Sequence, residues 1–280
     1  MKKPIKCFGQ SLLGGIGVLW LFLEIQTALC PKAPVELCFW LFLSIGAAIG
    51  IIYFLIDGLW LTGFLKRSIE ITSNAIDSSI TVMFGDLFAQ KGYKAISVNE
   101  FFDSAVDNKH VSANTLHGIM LKQYWAGNTA DWDRQIKEDL SSISPIETVA
   151  SRPSPGKHDR YPLGTTASVS TKEHNFLCVA LANTNTENLQ ASAGSENLHV
   201  ALRGLLQKAR SSCSGSALNI PLIGSGLART GIKPNIIVDL ILLAVFEESK
   251  REKVTNEIRI ILPKQMRKKI DLSTIQKDWR

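Results

Sequence analysis

Two long apolar stretches near the start of the chain constrain its architecture more than any other feature. The first covers residues 11–30 and contains one charged residue, Glu24; the second covers residues 37–61 and contains one, Asp57. A helix rises 1.5 Å per residue, so about 20 apolar residues cross a hydrocarbon core of roughly 30 Å. Both stretches are long enough, and a two-proline turn separates them. The sequence therefore predicts a transmembrane helical hairpin.

A signal peptide is the main alternative for the first stretch, because Lys2, Lys3 and Lys6 precede it. The apolar run is longer than that of a signal peptide, no small-x-small cleavage site closes it, and a second apolar stretch follows at once. Lys66 and Arg67 follow the second stretch. The positive-inside rule therefore places both termini on the cytoplasmic side of the membrane.

Two details of the hairpin leave alternatives open. Glu24 either faces a partner or a water-filled path, or lies close enough to the far interface to reach the headgroups. The small residues within residues 46–50 allow close helix packing and favour a homo-oligomer.

The remaining residues, from 68 onward, mix polar and apolar residues in the way that is typical of a globular domain. The net charge of the whole chain is +6, and it is not gathered into a basic face, which argues against nucleic acid as a partner. The one dense basic run, residues 264–269, is either a solvated surface or a contact with anionic lipid headgroups. Five cysteines without CxxC spacing, and no His cluster, predict reduced thiols and no metal site.

Short β-rich runs alternate with helical patterns from residue 68 onward. The pattern predicts a three-layer α/β/α domain with a mixed, largely parallel sheet over residues 68–280, after a membrane segment over residues 1–67. An insertion at about 124–165 is predicted as one short helix and a surface loop. The predicted strands are residues 69–71, 80–84, 94–98, 176–182, 217–223 and 257–262, and the predicted helices are residues 198–211 and 236–251.

Three loops at predicted strand ends carry unusual residues. Ligands of open α/β sheets bind outside the carboxyl ends of strands, and here these ends lead into residues 84–88, 99–103 and 224–231. The last loop has three glycines and Arg229. Its backbone N–H groups are able to form an anion nest before the following helix, although a plain glycine-rich turn is the alternative.

These motifs together resemble the macro domain, a module that binds ADP-ribose. The matching residues are Gly85-Asp86 after an early strand, Asn99 after the next, and the Pro-x-x-Gly-x-Gly pattern of residues 221–226. The strings VNEFFD and SANTLHG behind two apolar stretches more narrowly resemble the two-span macro-type effectors of type II Thoeris anti-phage systems.

The resemblance implies a set of ligand-binding residues. Asp86 would receive the adenine amino group, Asn99 or Asp103 would hold the distal ribose end, and the loop around Gly224 would wrap the diphosphate. Thr115 and His117 would border the first phosphate loop; for His117 a buried helix histidine is the alternative. The full expected set is Asp86, Leu87, Asn99, Asp103, Thr115, His117, Gly224, Ser225, Gly226, Leu227, Arg229 and Thr230.

The resemblance also implies a function. Such effectors sense an ADP-ribose-derived signal, for example histidine-ADP-ribose, made by a TIR-domain partner, and then disrupt the membrane and arrest the cell. Residues 99–102 and 112–118 depart from the motifs of macro-type hydrolases, so we expect a binder with no catalytic residue and no cofactor. A membrane-tethered ADP-ribosyl hydrolase and a nucleotide-regulated channel or transporter subunit are the alternatives.

Overall fold

The computed structural model describes residues 2–32, 35, 37–61, 63–126, 128–224 and 231–279. The chain divides into two compact units. The first contains residues 1–67 together with 271–278, and the second contains residues 68–270 with 279–280. The sequence predicts one domain over residues 68–280; in the structure the C-terminal residues 271–278 group with the first unit.

The first unit consists mainly of two helices that are consecutive in the chain. Helix α1 covers Lys2–Leu29, helix α2 covers Phe39–Ile56, and one π-helical turn continues α2 through Asp57–Leu61. The two helices pack through small residues, since a Cβ atom on Gly15 would collide with the backbone of Gly46 and Gly50. The close approach is possible because glycine places no side chain between the two backbones.

The outer faces of these helices are apolar and exposed. By length and composition, Ile5–Leu29 and Phe39–Leu61 are each able to cross a membrane, and only 11% of each apolar window is buried in the structure. A core helix of a soluble protein would instead be mostly buried. The large exposed side chains include Trp20, Phe22 and Trp40, which lipid would cover.

The structure bears on the two details that the sequence left open. Glu24 is exposed and lies five residues before the end of α1, which is about 8 Å along a helix and close to the turn. Gly46 and Gly50 pack against α1 of the same chain. Their spacing is therefore explained within the hairpin, and they give no support of their own to a homo-oligomer, which stays a prediction.

The hairpin contact can be tested with two substitutions in one helix. We expect Gly15→Val to separate α1 from α2 and to cost about 1–3 kcal/mol of stability, because its side chain has no free space. Gly17→Val is the matched control, since nothing lies within 4 Å of a Cβ atom at that position. Thermal unfolding of the detergent-solubilised chain measures both. Equal midpoints for the two variants would contradict the packing.

The second unit is built on one mixed sheet. Its main strands are β1 (Ser68–Ile71), β2 (Ser79–Gly85), β3 (Tyr93–Asn99), β6 (Thr166–Ser170), β7 (Asn175–Thr184), β9 (Leu218–Pro221) and β10 (Glu257–Pro263). They lie in the order β1-β2-β10-β9-β3-β7-β6, and a two-residue strand, β8 (Ala191–Ser192), pairs with the end of β7. The two edge strands β1 and β6 run antiparallel to their neighbours, and the five central strands are parallel.

Helices flank this sheet and complete the layers. They are α3 (Leu116–Tyr124), α4 (Ala130–Asp139), α5 (Ser195–Ser212) and α6 (Pro234–Arg251). The apolar positions of α5 recur at helical spacing and are buried, among them Leu198, Leu202 and Leu205. A 3₁₀ helix over Lys264–Lys268 and helix α7 over Leu272–Asp278 follow the sheet. The structure confirms the predicted fold class.

Residues 125–165 are more than a surface loop. They contain the short helix α4 and a small hairpin of β4 (Glu147–Thr148) and β5 (Asp159–Arg160). Trp132 and Arg152 from this segment are buried, with exposures of 0% and 3%. The predicted short helix is α4, which contains Trp132, and the loop after it lies mostly at the surface with Arg152 as a buried contact.

Candidate ligand-binding site at the carboxyl edge of the sheet

The central strands end together at one edge of the sheet. Gly85 at the end of β2 pairs with Pro263 at the end of β10, and Pro221 at the end of β9 pairs with Ile261. Asn99 at the end of β3 pairs with Ala182 of β7. Because these strands are parallel, the loops that follow them lie along the same edge. This edge is the expected position of a ligand in an open α/β sheet.

The strand order fixes the sequence of loops along the edge. The Asp86 loop follows β2, and the Asn99 loop follows β3 three strand intervals away, which is about 14 Å at the usual strand spacing. The chain at Gly224 leaves β9, which lies between them. An extended ligand would therefore meet the Asp86 loop at one end, the Gly224 loop in its middle and Asn99 at the other end.

Asp86 lies at the exposed end of β2, in a tight turn. One carboxylate oxygen, Oδ1, accepts a hydrogen bond from the backbone N–H of Phe88 at 3.0 Å, while Leu87 is buried beneath the turn. The Phe88 ring lies 5.7 Å from the Tyr124 ring. Burial raises the pKa of the Tyr124 hydroxyl, and the negative charge of Asp86 raises it further. The Asp86 side chain is thus exposed and held in place from below.

Asn99 ends β3 and is engaged by its own loop. Its amide donates a hydrogen bond to Asp103 Oδ2 at 2.7 Å, and its oxygen accepts one from the backbone N–H of Asp103 at 3.1 Å. Phe102 between them has a φ of +52°, a left-handed conformation that a bulky residue rarely adopts. The two side chains that the resemblance assigns to the distal ribose end therefore bond to each other.

Asp103 is completely buried in a network supplied by residues 152–157. Arg152 contacts both carboxylate oxygens, at 2.8 Å through Nη1 and 2.5 Å through Nη2, and the backbone N–H of Lys157 adds a bond of 2.8 Å. Burial alone would raise the pKa of Asp103, but these bonds outweigh it and hold the pKa below its usual value. A direct contact between Asp103 and a ligand would require this network to open.

A second buried carboxylate follows Asn99. Glu100 is 3% exposed; it accepts a hydrogen bond from the backbone N–H of Thr184 at 3.1 Å and pairs with Arg160 at 3.2 Å. Burial raises the pKa of Glu100, and the bond from Thr184 and the charge of Arg160 offset this only in part. Glu100 thereby ties the loop after β3 to the end of β7.

Thr115 and His117 belong to the start of helix α3. Thr115 is its N-cap and accepts a hydrogen bond from the backbone N–H of Gly118 at 3.0 Å. His117 is 5% exposed, its Nε2 atom has no hydrogen-bond partner among the described residues, and its ring lies 5.6 Å from that of Trp132. Burial lowers the pKa of His117 to about 3. The structure therefore places His117 in the core, as in the alternative reading.

The glycine-rich loop is described only at its two ends. Gly224 has a φ of +84° and Gly231 a φ of +66°, both in the left-handed region that glycine adopts at no steric cost. Five expected site residues lie outside the described residues: Ser225, Gly226, Leu227, Arg229 and Thr230.

Sequence reasoning missed the side chains that hold the loop after β3. Arg152 and Lys157 lie 49 and 54 residues from Asp103 in the chain, and no local pattern links such distant positions. The position of Glu100 was the one indication in the sequence, since a charged residue directly after a buried strand is costly to bury unless it is paired. Its partner Arg160 could not be identified from spacing.

Removal of Arg152 is expected to destabilise the domain. Arg152→Met leaves the buried Asp103 carboxylate without its cation, which costs about 3–5 kcal/mol. Arg134→Met is the control from the same segment, because the pairs of Arg134 with Asp131 and Glu138 are exposed and are worth at most about 1 kcal/mol. Urea unfolding followed by tryptophan fluorescence measures both. A small loss for Arg152→Met would show that the buried pair is not required.

The low pKa of His117 makes stability depend on pH. The unfolded state binds a proton near pH 6.5 and the folded state only near pH 3, so stability falls as the pH drops through this interval. At pH 5 the expected loss is about 2 kcal/mol relative to pH 7.5. His117→Gln should remove most of this loss, measured as thermal midpoints at the two pH values. An unchanged pH dependence in the variant would contradict the assignment.

The fold and the edge of the sheet define a macro-type α/β/α domain, carried on a chain that also has two apolar helices. The model of the family described as Thoeris protein ThsA, Macro domain, matches residues 80–263. That match covers more than half of the chain. The chain therefore belongs to the ThsA macro-domain family.

One relative and two solved macrodomains are similar to this chain. The Thoeris protein ThsA of Bacillus amyloliquefaciens (strain Y2) is 29% identical over 209 residues, which cover 72% of this chain and 68% of that protein. A macrodomain of Oceanobacillus iheyensis solved with ADPR is 14% identical, covers 75% of this chain and 95% of its own, and has a TM-score of 0.44. The Trypanosoma brucei macrodomain in complex with ADP-ribose is 10% identical over 72% of this chain and 71% of its own, with a TM-score of 0.42. At these TM-scores the two structures add nothing to the family assignment.

Proposed function

We propose that this protein is a membrane-anchored effector of anti-phage defence that binds an ADP-ribose-derived signal. The signal, for example histidine-ADP-ribose, is made by a TIR-domain partner. Its binding at the carboxyl edge of the sheet triggers disruption of the inner membrane by the helical hairpin and arrests the infected cell. The macro-type domain and both termini lie in the cytoplasm.

The observation that carries this proposal is the order of the loops along one edge. Asp86 is exposed at one end, where its carboxylate is able to accept a hydrogen bond from a purine amino group. Gly224 opens the central loop with a left-handed φ of +84°, which suits backbone N–H groups that converge on a diphosphate. Asn99 lies beyond it. The edge thus carries an exposed acceptor at one end, the start of a glycine-rich loop in the middle and Asn99 at the other end, an order that matches the adenine, diphosphate and distal ribose of ADP-ribose.

The loop after β3 supports binding rather than hydrolysis. A general base must be able to reach a water molecule or a substrate proton. Asp103 is completely buried and paired with Arg152, while Asn99 is bonded to Asp103. Neither side chain is free to move a proton in this arrangement, which supports a domain that binds the signal without hydrolysing it.

The connection to the hairpin supports an effector. The chain passes from Leu61 to β1 within six residues, and β1 is hydrogen-bonded to β2 over its whole length of Ser68–Ile71. Strand β2 ends at Gly85, directly before Asp86. A ligand that changes the position of the Asp86 loop therefore acts on the strand adjacent to the one attached to the membrane helices.

Ligand binding can be tested with two aspartates at opposite ends of one strand. We expect Asp86→Ala to weaken binding of histidine-ADP-ribose at least tenfold, because the purine loses its acceptor. Asp77 is exposed and precedes β2, so Asp77→Ala should leave the affinity unchanged. Calorimetry on the full-length protein in detergent measures both. Equal affinities, or no heat with the unaltered protein at high micromolar ligand, would contradict the proposal.

A cellular experiment tests the effector step. Co-expression with a signal-producing TIR-domain protein should depolarise the inner membrane and arrest growth, and Asp86→Ala should prevent both while Asp77→Ala should not. Consumption of the ligand by the purified protein, followed by chromatography, would instead indicate the tethered hydrolase. Depolarisation that is independent of the TIR-domain protein would contradict the signalling step.

A further inference from the structure

Four basic side chains follow the last strand of the sheet within six residues. Lys264, Arg267, Lys268 and Lys269 all lie in or directly after the 3₁₀ helix, and all four are exposed. We call them the basic segment. Among the residues that the structure describes, none of the four forms an ion pair with a carboxylate. Four cations at one place create a local positive potential that attracts anions.

The one acidic residue close by in the chain is held elsewhere. Asp271 accepts hydrogen bonds from the backbone N–H and the hydroxyl of Ser273, at 3.0 Å and 2.5 Å. Its carboxylate is thus turned toward the start of α7, where the positive end of the helix dipole stabilises it. Within the described part of the chain, no carboxylate neutralises the basic segment, so its charge is available to an external anion.

Helix α7, which follows the basic segment in the chain, is held next to the end of the second apolar helix. Within the first unit, Ser273 lies against Gly63, and Gln276 accepts a hydrogen bond from Lys66 Nζ at 2.9 Å. Gly63 and Lys66 come directly after the second apolar helix, which ends at Leu61. Helix α7 is therefore held at the end of a membrane-crossing segment.

The covalent chain then limits the distance of the basic segment from that point. Lys269 is four residues from Ser273, so their Cα atoms lie within about 14 Å of each other, and Arg267 lies within about 21 Å. The headgroup layer extends roughly 5–8 Å beyond the hydrocarbon core, and electrostatic attraction to it acts over about 8 Å more at physiological salt. Long basic side chains extend further toward such a surface.

We propose that the basic segment binds anionic phospholipid headgroups of the cytoplasmic leaflet. This inference rests on the proposed membrane insertion of the hairpin and adds a second, charge-dependent contact with the bilayer. A juxtamembrane cluster of four Lys or Arg residues has the composition that recognises anionic lipid. Each such residue strengthens binding to an anionic surface about fivefold.

The basic segment also begins close to the proposed ligand site. Pro263 pairs with Gly85, and the Arg267 guanidinium lies 5.7 Å from the centre of the Phe84 ring. Strand β10 lies between β2 and β9, so the segment begins between the Asp86 loop and the chain at Gly224. A diphosphate bound at this edge is therefore the alternative anion, and the calorimetry below distinguishes it from lipid headgroups.

The test uses the full-length protein in lipid nanodiscs of two compositions, one containing phosphatidylglycerol and one made of phosphatidylcholine alone. Hydrogen–deuterium exchange of the amides of residues 264–270 should be at least threefold slower in the anionic discs. The difference should disappear in 0.5 M salt, because screening removes attraction at a surface. Equal exchange in both discs overturns the proposal.

Two charge-matched variants identify the residues responsible. K264Q/R267Q/K268Q/K269Q should abolish the lipid-dependent difference at residues 264–270. K137Q/K172Q/K250Q/K253Q removes four charges from exposed lysines elsewhere, and it should preserve the difference. If both variants lose the lipid-dependent difference, net charge alone explains the effect, and the assignment of lipid binding to the basic segment is overturned.

Two further measurements separate this inference from the proposed function. Flotation of the unaltered protein with liposomes tests insertion alone; failure to float overturns the hairpin anchor and this inference together. Calorimetry of the basic-segment variant in neutral discs tests nucleotide binding. A large loss of affinity for histidine-ADP-ribose there would assign the basic segment to the ligand site and overturn the lipid proposal, while leaving the proposed function intact.

Discussion

The parallel ladder between β10 and β2 is the interaction on which the rest of the second unit depends. Seven residue pairs, from Glu257↔Ser79 to Pro263↔Gly85, hold the last strand of the sheet beside one of the first. This pairing closes the sheet between segments almost 180 residues apart, and it brings the ends of β2, β10 and β9 to one edge. Without it the Asp86 loop and the chain at Gly224 would have no fixed relation.

The loop after β3 shows how a buried charge can define a site without contact with a ligand. Asp103 and Arg152 are both completely buried, an arrangement whose desolvation cost has to be offset by well-aligned bonds. Bonds from Lys157 N–H and Asn99 provide this alignment. The result is a fixed orientation of the Asn99 amide at the edge of the sheet. Arg152 and Lys157 thus hold the loop after β3 in place at one end of the proposed binding edge.

Much of the fold could be predicted because its strands are buried on both faces. The runs at residues 94–98 and 176–182 are nearly continuous in apolar residues, and such runs indicate central parallel strands. Helix α5 showed its apolar face through the spacing of Leu198, Leu202 and Leu205. Strand β6 was missed, since residues 166–170 (TASVS) are largely small and polar and carry no such signal.

The candidate site likewise contains residues that the sequence predicts and contacts that it does not. Glycine after a strand and polar residues at a strand end are local signals, so Asp86, Asn99 and Gly224 could be named from the sequence. The burial of His117 and the pairing of Asp103 with Arg152 depend on contacts between distant segments, and no spacing rule encodes them. Two apolar helices and a strand–helix alternation were thus determined by the sequence alone, because both follow from local hydrophobic periodicity. Only the tertiary structure decided which charged side chains stay exposed at the edge of the sheet and which are buried against one another, because that choice depends on long-range packing.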